Sequence, residues 1–317
     1  MGDIPTLTVL NGSDSRRLPA APLVPAPTDE EIAASPRLPV TVVRSPTTGQ
    51  EIARVTVVRR SSQGPVNVAI LGQCYVDDND IRGAALRLSR IEFPGSVVMV
   101  HWTTTCPVPP AERELFLGLL RFWRYDRLSD DVAEAGVAEV NRAHAEAREV
   151  GANFSSVLAS IPIPLHDRPV HVFAHSMGAA VLREALERGQ LRDYDIRRAV
   201  FLGGTAATVL SPRALGQVRG SVVNFYRADD WILGAVARVR NESQIGMNPI
   251  PAPNELQGRR IFNVSVDDIG HRHYWANGNR VLRSIDAMVP PEPGGVRLQR
   301  ASPRLTSNAQ GALRPNR

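Results

Sequence analysis

A serine, an aspartate and a histidine, the side chains that together perform acyl transfer, each follow a short apolar run in this chain. Ser176 stands in "VHVFAHSMGAAV", where a β-branched run passes without a loop into a helical pattern of small residues. This arrangement is typical of a nucleophile elbow, because small flanking residues let the strand and helix backbones pass closely. Ser176 is therefore the candidate nucleophile, and a small residue in a tight bend is the alternative.

The candidate acid follows a later apolar run, "VVNFY", in which two adjacent aspartates come next, Asp229 and Asp230. In such sites the acid and then the base follow the nucleophile along the chain. An aspartate followed by one residue and two aliphatic residues suits a turn that reverses into a helix, which favours Asp230 over Asp229. The alternative for an aspartate at this joint is a helix N-cap; both roles could coexist in the pair, with Asp229 as the candidate cap if Asp230 is the acid.

The candidate base lies in "RIFNVSVDDIGHRHYW", after the last apolar run. His271 follows Gly270, which lets the loop bend back over the sheet, whereas His273 is embedded between Arg272 and Tyr274. This position favours His271, with His273 as the second choice. The alternative for both is an ordinary polar loop histidine.

A tetrahedral oxyanion would need two N–H donors. The Met177 amide, directly after the nucleophile, is the first candidate. The turn after "VAILG" should supply the other, with Gln73 as the leading donor and Cys74 as the second choice. Because no basic neighbour is evident beside Cys74, a structural thiol is the better interpretation of its side chain.

The elements that must position these residues are short apolar runs separated by helical patterns. The runs "VNVAILG", "SVVMVHW", "VHVFA", "AVFLGG", "VVNFY" and "RIFNVSV" predict parallel strands buried on both faces and joined by crossover helices. Before them, "PVTVVRSPTTGQEIARVTVV" predicts a hairpin at the sheet edge. The fold class is therefore α/β, with a mostly parallel central sheet and helices on both faces.

Composition divides the chain into three parts. Residues 1–36 and 289–317 are rich in Pro and Ala or Arg without a period and are expected to be flexible, whereas residues 37–288 should form one domain. The stretch from about residue 130 predicts the crossover helix that leads to Ser176. Residues 115–123 are apolar nearly all round, which favours a buried helix over a lid above the site.

Together these motifs resemble the α/β-hydrolase superfamily over roughly residues 65 to 288. Within it they resemble a poorly characterised branch of transmembrane-and-coiled-coil-domain hydrolase-like proteins and microbial relatives. The branch pattern of Asn-x-Tyr, Asp-Trp and Gly-His with a later Tyr falls here on Asn224, Tyr226, Asp230, Trp231, Gly270, His271 and Tyr274. The resemblance implies an α/β-hydrolase fold and supports Asp230 and His271 over their neighbours.

Charge and composition limit the partners. The net charge of +5 is matched by five arginines in the stretch from Gly294 to the end, so basicity belongs to the tail and no specific nucleic-acid partner is expected. Neither a secretory signal nor an apolar run of membrane-spanning length is evident, so a cytoplasmic location is expected, with peripheral membrane contact still compatible. No ligand spacing or phosphate loop occurs, so neither a metal nor an organic cofactor is expected.

These observations predict a serine hydrolase, esterase-like or lipase-like, that cleaves a carboxylic ester through an acyl-enzyme on Ser176. Its substrate would be a small-molecule or lipid ester, and the apolar residues 115–123 favour lipid-like acyl chains. Two alternatives stay open: a phospholipase-type toxin, and a catalytically silent hydrolase fold that serves as a binding or interaction module.

Overall fold

Eight strands form one sheet in the order β1-β2-β4-β3-β5-β6-β7-β8 in a computed structural model that describes residues 21–72, 78–102, 130–251 and 260–289. The strands are β1 Val40–Arg44, β2 Glu51–Arg59, β3 Val66–Ile70, β4 Ser96–His101, β5 Val170–His175, β6 Ile196–Leu202, β7 Ser221–Tyr226 and β8 Arg260–Ser265. Strands β1 and β2 are antiparallel, as are β2 and β4, and every later pairing is parallel. The predicted α/β-hydrolase fold and its edge hairpin are confirmed.

Helices cover both faces of the sheet. They are α1 Asp29–Ala34, α2 Asp78–Arg90, α3 Asp130–Ala152, α4 Phe154–Ala159, α5 Gly178–Glu187, α6 Pro212–Gly216, α7 Trp231–Arg240 and α8 Gly278–Met288. One hydrophobic cluster joins the sheet to α3, α4, α5 and α6, and the other joins it to α2 and α8. Strands β3, β4 and β5 are buried along their whole length, which explains why they appear in the sequence as continuous apolar runs.

The connection from β4 to β5 contains the predicted crossover helix, which is α3, followed by the short helix α4. Helix α3 packs mainly on α5, so it supports the helix that starts at the nucleophile candidate. Residues 115–123, predicted as a buried helix or a lid, lie outside the described residues.

Part of the expected flexible leader is folded, which corrects the prediction for residues 21–36. Helix α1 has a capping box in which Thr28 and Glu31 bond each other's backbone. Upstream, Val24 is buried and its N–H donates to the Ala276 carbonyl at 2.7 Å, and Glu31 pairs with Arg90 of α2 at 2.6 Å. This segment packs against the domain because it brings its own cap and a buried apolar side chain.

The carboxyl ends of parallel strands meet at one edge of a sheet, where ligands bind in open α/β folds. Strands β5, β7 and β8 are parallel and end just before Ser176, Asp230 and His271. The topology therefore brings the three sequence candidates to the same edge.

Candidate active site

Ser176 occupies a sharp turn between β5 and α5. Its φ of 51° lies in the left-handed region, which is rare for a residue with a side chain and marks stored backbone strain. The turn is held from both sides: the Ser176 N–H donates to the Leu202 carbonyl at 3.1 Å, and the Ser176 carbonyl accepts from Ala179 and Thr205. These bonds fix the backbone and leave the Ser176 side chain standing above the sheet edge.

Two glycines make the turn possible by having no side chain. A Cβ at Gly178 would lie 2.6 Å from the Ile70 carbonyl oxygen, and one at Gly72 would lie 2.5 Å from the Met177 nitrogen and clash with the His175 carbonyl. Strand β3, strand β5 and the start of α5 therefore approach backbone to backbone. This close approach is the physical reason for the small residues around the serine.

His271 faces the serine. Its Nε2 lies 2.9 Å from the Ser176 Oγ, and its ring is almost completely buried. The residue begins a 3-10 turn, His271–His273, in the loop that follows β8. That turn carries the imidazole from the last strand back over the elbow.

Asp230 completes the chain of contacts. Its Oδ2 lies 2.8 Å from the His271 Nδ1, while its Oδ1 accepts from the amides of Ile232 and Leu233 and so caps α7. Its side chain is 1% exposed. With Nδ1–H donated to the carboxylate, Nε2 is the ring acceptor available to the serine hydroxyl, which is the arrangement that lets a histidine act as a base toward serine.

Asp229 and His273, the second choices for the acid and the base, take no part in the contacts among Ser176, His271 and Asp230. Asp229 is exposed and pairs with Arg227 at 2.5 and 3.0 Å, and this hydrogen bond holds the Asp229 pKa below its usual value. His273 is exposed and its N–H donates to the Gly270 carbonyl. The expectation that Asp229 caps the helix is wrong, because Asp230 itself is the N-cap.

The Met177 amide stands where the sequence analysis expected an oxyanion donor, directly after the serine. Within the part of the chain that the structure describes, it donates to no protein acceptor. The other expected donors, Gln73 and Cys74, lie outside the described residues.

The contacts of His175, the residue before Ser176, were not expected from the sequence. The His175 Nε2 lies 2.8 Å from the His271 carbonyl oxygen, and its ring centroid lies 5.4 Å from that of His271 and 5.7 Å from that of Tyr274. Burial lowers the pKa of His175 to about 3 and raises that of Tyr274. No sequence signal marks this contact, because it depends on where a loop almost a hundred residues later returns.

Asn224, the first position of the branch pattern, is fully buried in β7. Its side-chain amide donates to the carbonyls of Ile245 and Asn248 at 3.0 and 2.9 Å. It therefore holds the segment after α7 against the sheet.

Among residues 21–72, 78–102, 130–251 and 260–289, no group of three or more His, Cys, Asp and Glu side chains is placed to hold a metal ion. Of the helices in these ranges, none combines the length and hydropathy needed to cross a bilayer.

Among solved structures, esterases and other hydrolases are similar to this chain. The esterase of Pyrobaculum calidifontis aligns with a TM-score of 0.41 at 11% identity, covering 80% of this chain and 85% of that one. The IroE-like serine hydrolase of Shewanella oneidensis aligns with a TM-score of 0.39 at 11% identity, covering 78% and 80%.

The sequence is similar to a plant protein over part of its length. The chain is 30% identical over 130 residues to the transmembrane and coiled-coil domain-containing protein STS1 of Oryza sativa subsp. japonica. That match covers 38% of this chain and only 19% of the relative's length. By its strand order and pairing directions the chain has the α/β-hydrolase fold, and its residues 139–288 match the family described as "Protein of unknown function (DUF726)".

Proposed function

We propose that this protein is a serine hydrolase that cleaves carboxylic esters through an acyl-enzyme on Ser176. The observation that carries the proposal is the continuous contact from the Ser176 hydroxyl through His271 to Asp230, at 2.9 and 2.8 Å. A serine alone is a weak nucleophile, and it becomes reactive when an oriented base can take its proton. The strained turn at Ser176 adds support, because strain of this kind clusters at functional sites.

In the first half-reaction, His271 Nε2 takes the Ser176 hydroxyl proton while Oγ attacks the ester carbonyl carbon. The tetrahedral intermediate then collapses, and the alcohol leaves with the proton that His271 returns. In the second half, His271 takes a proton from water, the hydroxide attacks the acyl carbon, and the carboxylic acid leaves as Ser176 regains its proton. Asp230 keeps the ring oriented and stabilises its charged form throughout.

The negative oxygen of each tetrahedral intermediate needs donors that are already in place. The Met177 amide suits this role, because it follows the nucleophile and has no acceptor among the described residues. We assign the second donor to the Gln73 amide, with Cys74 as the alternative. A substrate carbonyl would then bind between the elbow and the turn after β3.

The chemistry of the site supports an ester as the substrate. An acyl transfer of this kind takes a small-molecule or lipid ester and needs only water as the second substrate. Nitrophenyl esters with acyl chains of graded length, assayed on the purified chain, would define the preferred length. Faster cleavage of long acyl chains would support the lipid-like substrates predicted from residues 115–123.

Labelling with a serine-directed fluorophosphonate tests the proposal without knowledge of the substrate. Wild type should label and Ser176→Ala should not, with an unchanged circular dichroism spectrum. Asp229→Asn is the matched control and should label like wild type, because its side chain is exposed and pairs outside the site. A folded wild-type protein that neither labels nor cleaves any ester would contradict the proposal and favour the alternative of a silent hydrolase fold.

A further inference from the structure

Two consecutive residues of the elbow are both bonded to one histidine. Ser176 Oγ lies 2.9 Å from the His271 Nε2, and His175 Nε2 lies 2.8 Å from the His271 carbonyl oxygen. The side chain and the backbone of His271 are thus each tied to neighbouring positions of the same turn. We propose that His175 is a positioning residue, which holds the His271 backbone against the elbow so that the imidazole stays within hydrogen-bonding distance of Ser176; this inference rests on the proposed function.

The direction of the His175 bond follows from its acceptor. A carbonyl oxygen only accepts, so His175 must donate from Nε2, and its neutral form is then the Nε2–H tautomer. Burial, followed by the nearby His271, lowers the pKa of His175 to about 3. His175 is therefore neutral over the whole range in which a serine hydrolase would work.

Neutrality matters because the two rings are close, with centroids 5.4 Å apart. In the proposed reaction His271 becomes positively charged when it takes the serine proton. A second positive charge at this distance in a buried site would oppose that step. A neutral N–H donor supplies the anchor without this repulsion.

The remaining contacts of His271 restrain its ring more than its backbone. Asp230 bonds Nδ1, which orients the imidazole but does not fix the loop that carries it. The 3-10 turn is bonded locally, His273 to Gly270 and Asn277 to residues 273 and 274, and the Tyr274 hydroxyl donates to the Phe225 carbonyl of β7 at 3.4 Å. The Tyr274 bond holds the loop to β7 three residues beyond His271, whereas the His175 bond joins the His271 backbone itself to β5, next to the nucleophile.

The test replaces the donor and then restores it. His175→Leu removes the N–H and keeps an apolar side chain, whereas His175→Gln offers an amide N–H at about the same reach. Because a misplacement of ~1 Å in a catalytic group can cost ~10²-fold, we expect His175→Leu to lower kcat and the fluorophosphonate labelling rate by that order. KM should stay near the wild-type value, and His175→Gln should recover most of both rates.

His171→Leu is the matched control, because His171 is also buried in β5 but bonds nothing in the site. It should leave kcat and labelling near wild type even if it lowers Tm. Wild-type rates in His175→Leu, or an equal loss in His171→Leu, would overturn the positioning role.

Failure of the proposed function would be visible separately, as absence of labelling in wild type. In that case ¹⁵N NMR of the wild-type protein still decides the geometry. We expect His175 to remain in the neutral Nε2–H form from pH 8 to pH 5. A charged His175 or an Nδ1–H tautomer would overturn the inference, whatever the activity.

Discussion

Asp230 accepts from the His271 ring at 2.8 Å with one carboxylate oxygen, while its other oxygen caps helix α7 through the amides of Ile232 and Leu233. One side chain therefore ties the position of the candidate base to the start of a helix. Because the cap fixes the carboxylate, its second oxygen is already aimed at the imidazole before any substrate binds.

Asp230→Asn should keep the N-cap of α7 and lose the orientation of the His271 ring. Asparagine is as good an N-cap as aspartate, so Tm should stay near the wild-type value. The amide cannot hold the Nδ1–H tautomer of His271 as a carboxylate does, and loss of a triad carboxylate in this way typically costs ~10⁴-fold in kcat. Steady-state kinetics and a thermal melt on the same preparation measure both effects.

Asp230→Ala extends this comparison, because it removes the cap as well and should lower the free energy of unfolding by ~1 kcal/mol. Asp229→Asn is the control for charge and should turn over like wild type. If Asp229→Asn were inactive while Asp230→Asn kept its activity, the acid would be misassigned.

His271→Ala and His273→Ala should differ strongly in ester turnover. His271 contacts both Ser176 and Asp230, so its removal leaves the serine without a base and should abolish measurable turnover. His273 is exposed, and its backbone bonds Gly270 and Asn277 rather than Ser176 or Asp230, so its replacement should affect substrate affinity or stability at most. Ester turnover of the two purified variants measures the difference, and an inactive His273→Ala beside an active His271→Ala would contradict the assignment.

Gly178→Ala tests the close approach at the elbow. The new Cβ would lie 2.6 Å from the Ile70 carbonyl oxygen, so strand β3 or the start of α5 must move. Overpacking of this kind costs ~1–3 kcal/mol, and the shift should also slow labelling of Ser176. Urea unfolding and the labelling rate report the two effects.

Gly234→Ala is the matched control, a glycine in the middle of helix α7. Its new Cβ would meet nothing closer than the Met247 Cε at 3.8 Å. Because alanine is the better helix former, this variant should gain up to ~1 kcal/mol of stability. Equal stability losses at both positions would show that the elbow is not specially crowded.

Much of the fold could be predicted because its signals are local. Six apolar runs correspond to β3 through β8, and turn residues marked the hairpin of β1 and β2. The folded part of the leader was missed although Thr28 and Glu31 have capping-box spacing. There the Pro- and Ala-rich composition outweighed a three-residue signal, and the burial of Val24 depends on tertiary contacts.

For the candidate site, too, the features with a local sequence signal could be predicted and those that depend on packing could not. Ser176, Asp230 and His271 could be proposed because each follows a strand, and parallel strands end at one edge. The double use of the Asp230 carboxylate and the His175 bond could not, because both depend on side-chain directions within the assembled loops. Local patterns therefore locate residues, whereas packing decides which atoms meet.

The buried histidines should make the folded protein less stable in acid. Burial lowers the pKa of His101 and His144 to about 4, and that of His171 and His175 to about 3, from an ordinary 6.5. Below pH 6.5 the unfolded chain binds a proton at each position and the folded chain does not. Stability that is fully present above pH 6.5 is therefore lost as the pH falls toward 4.

Each such histidine should contribute a slope of ~1.4 kcal/mol per pH unit in this window. We therefore expect the urea midpoint to change little between pH 8 and 7 and to fall steeply between pH 6.5 and 5. His171→Leu should make the stability fall less steeply with pH, by the contribution of one histidine, because leucine binds no proton in the unfolded chain. A urea midpoint that stays level from pH 7 to pH 5 in the wild type would show that these histidines accept protons in the folded protein, and the buried neutral state assigned to them would be wrong.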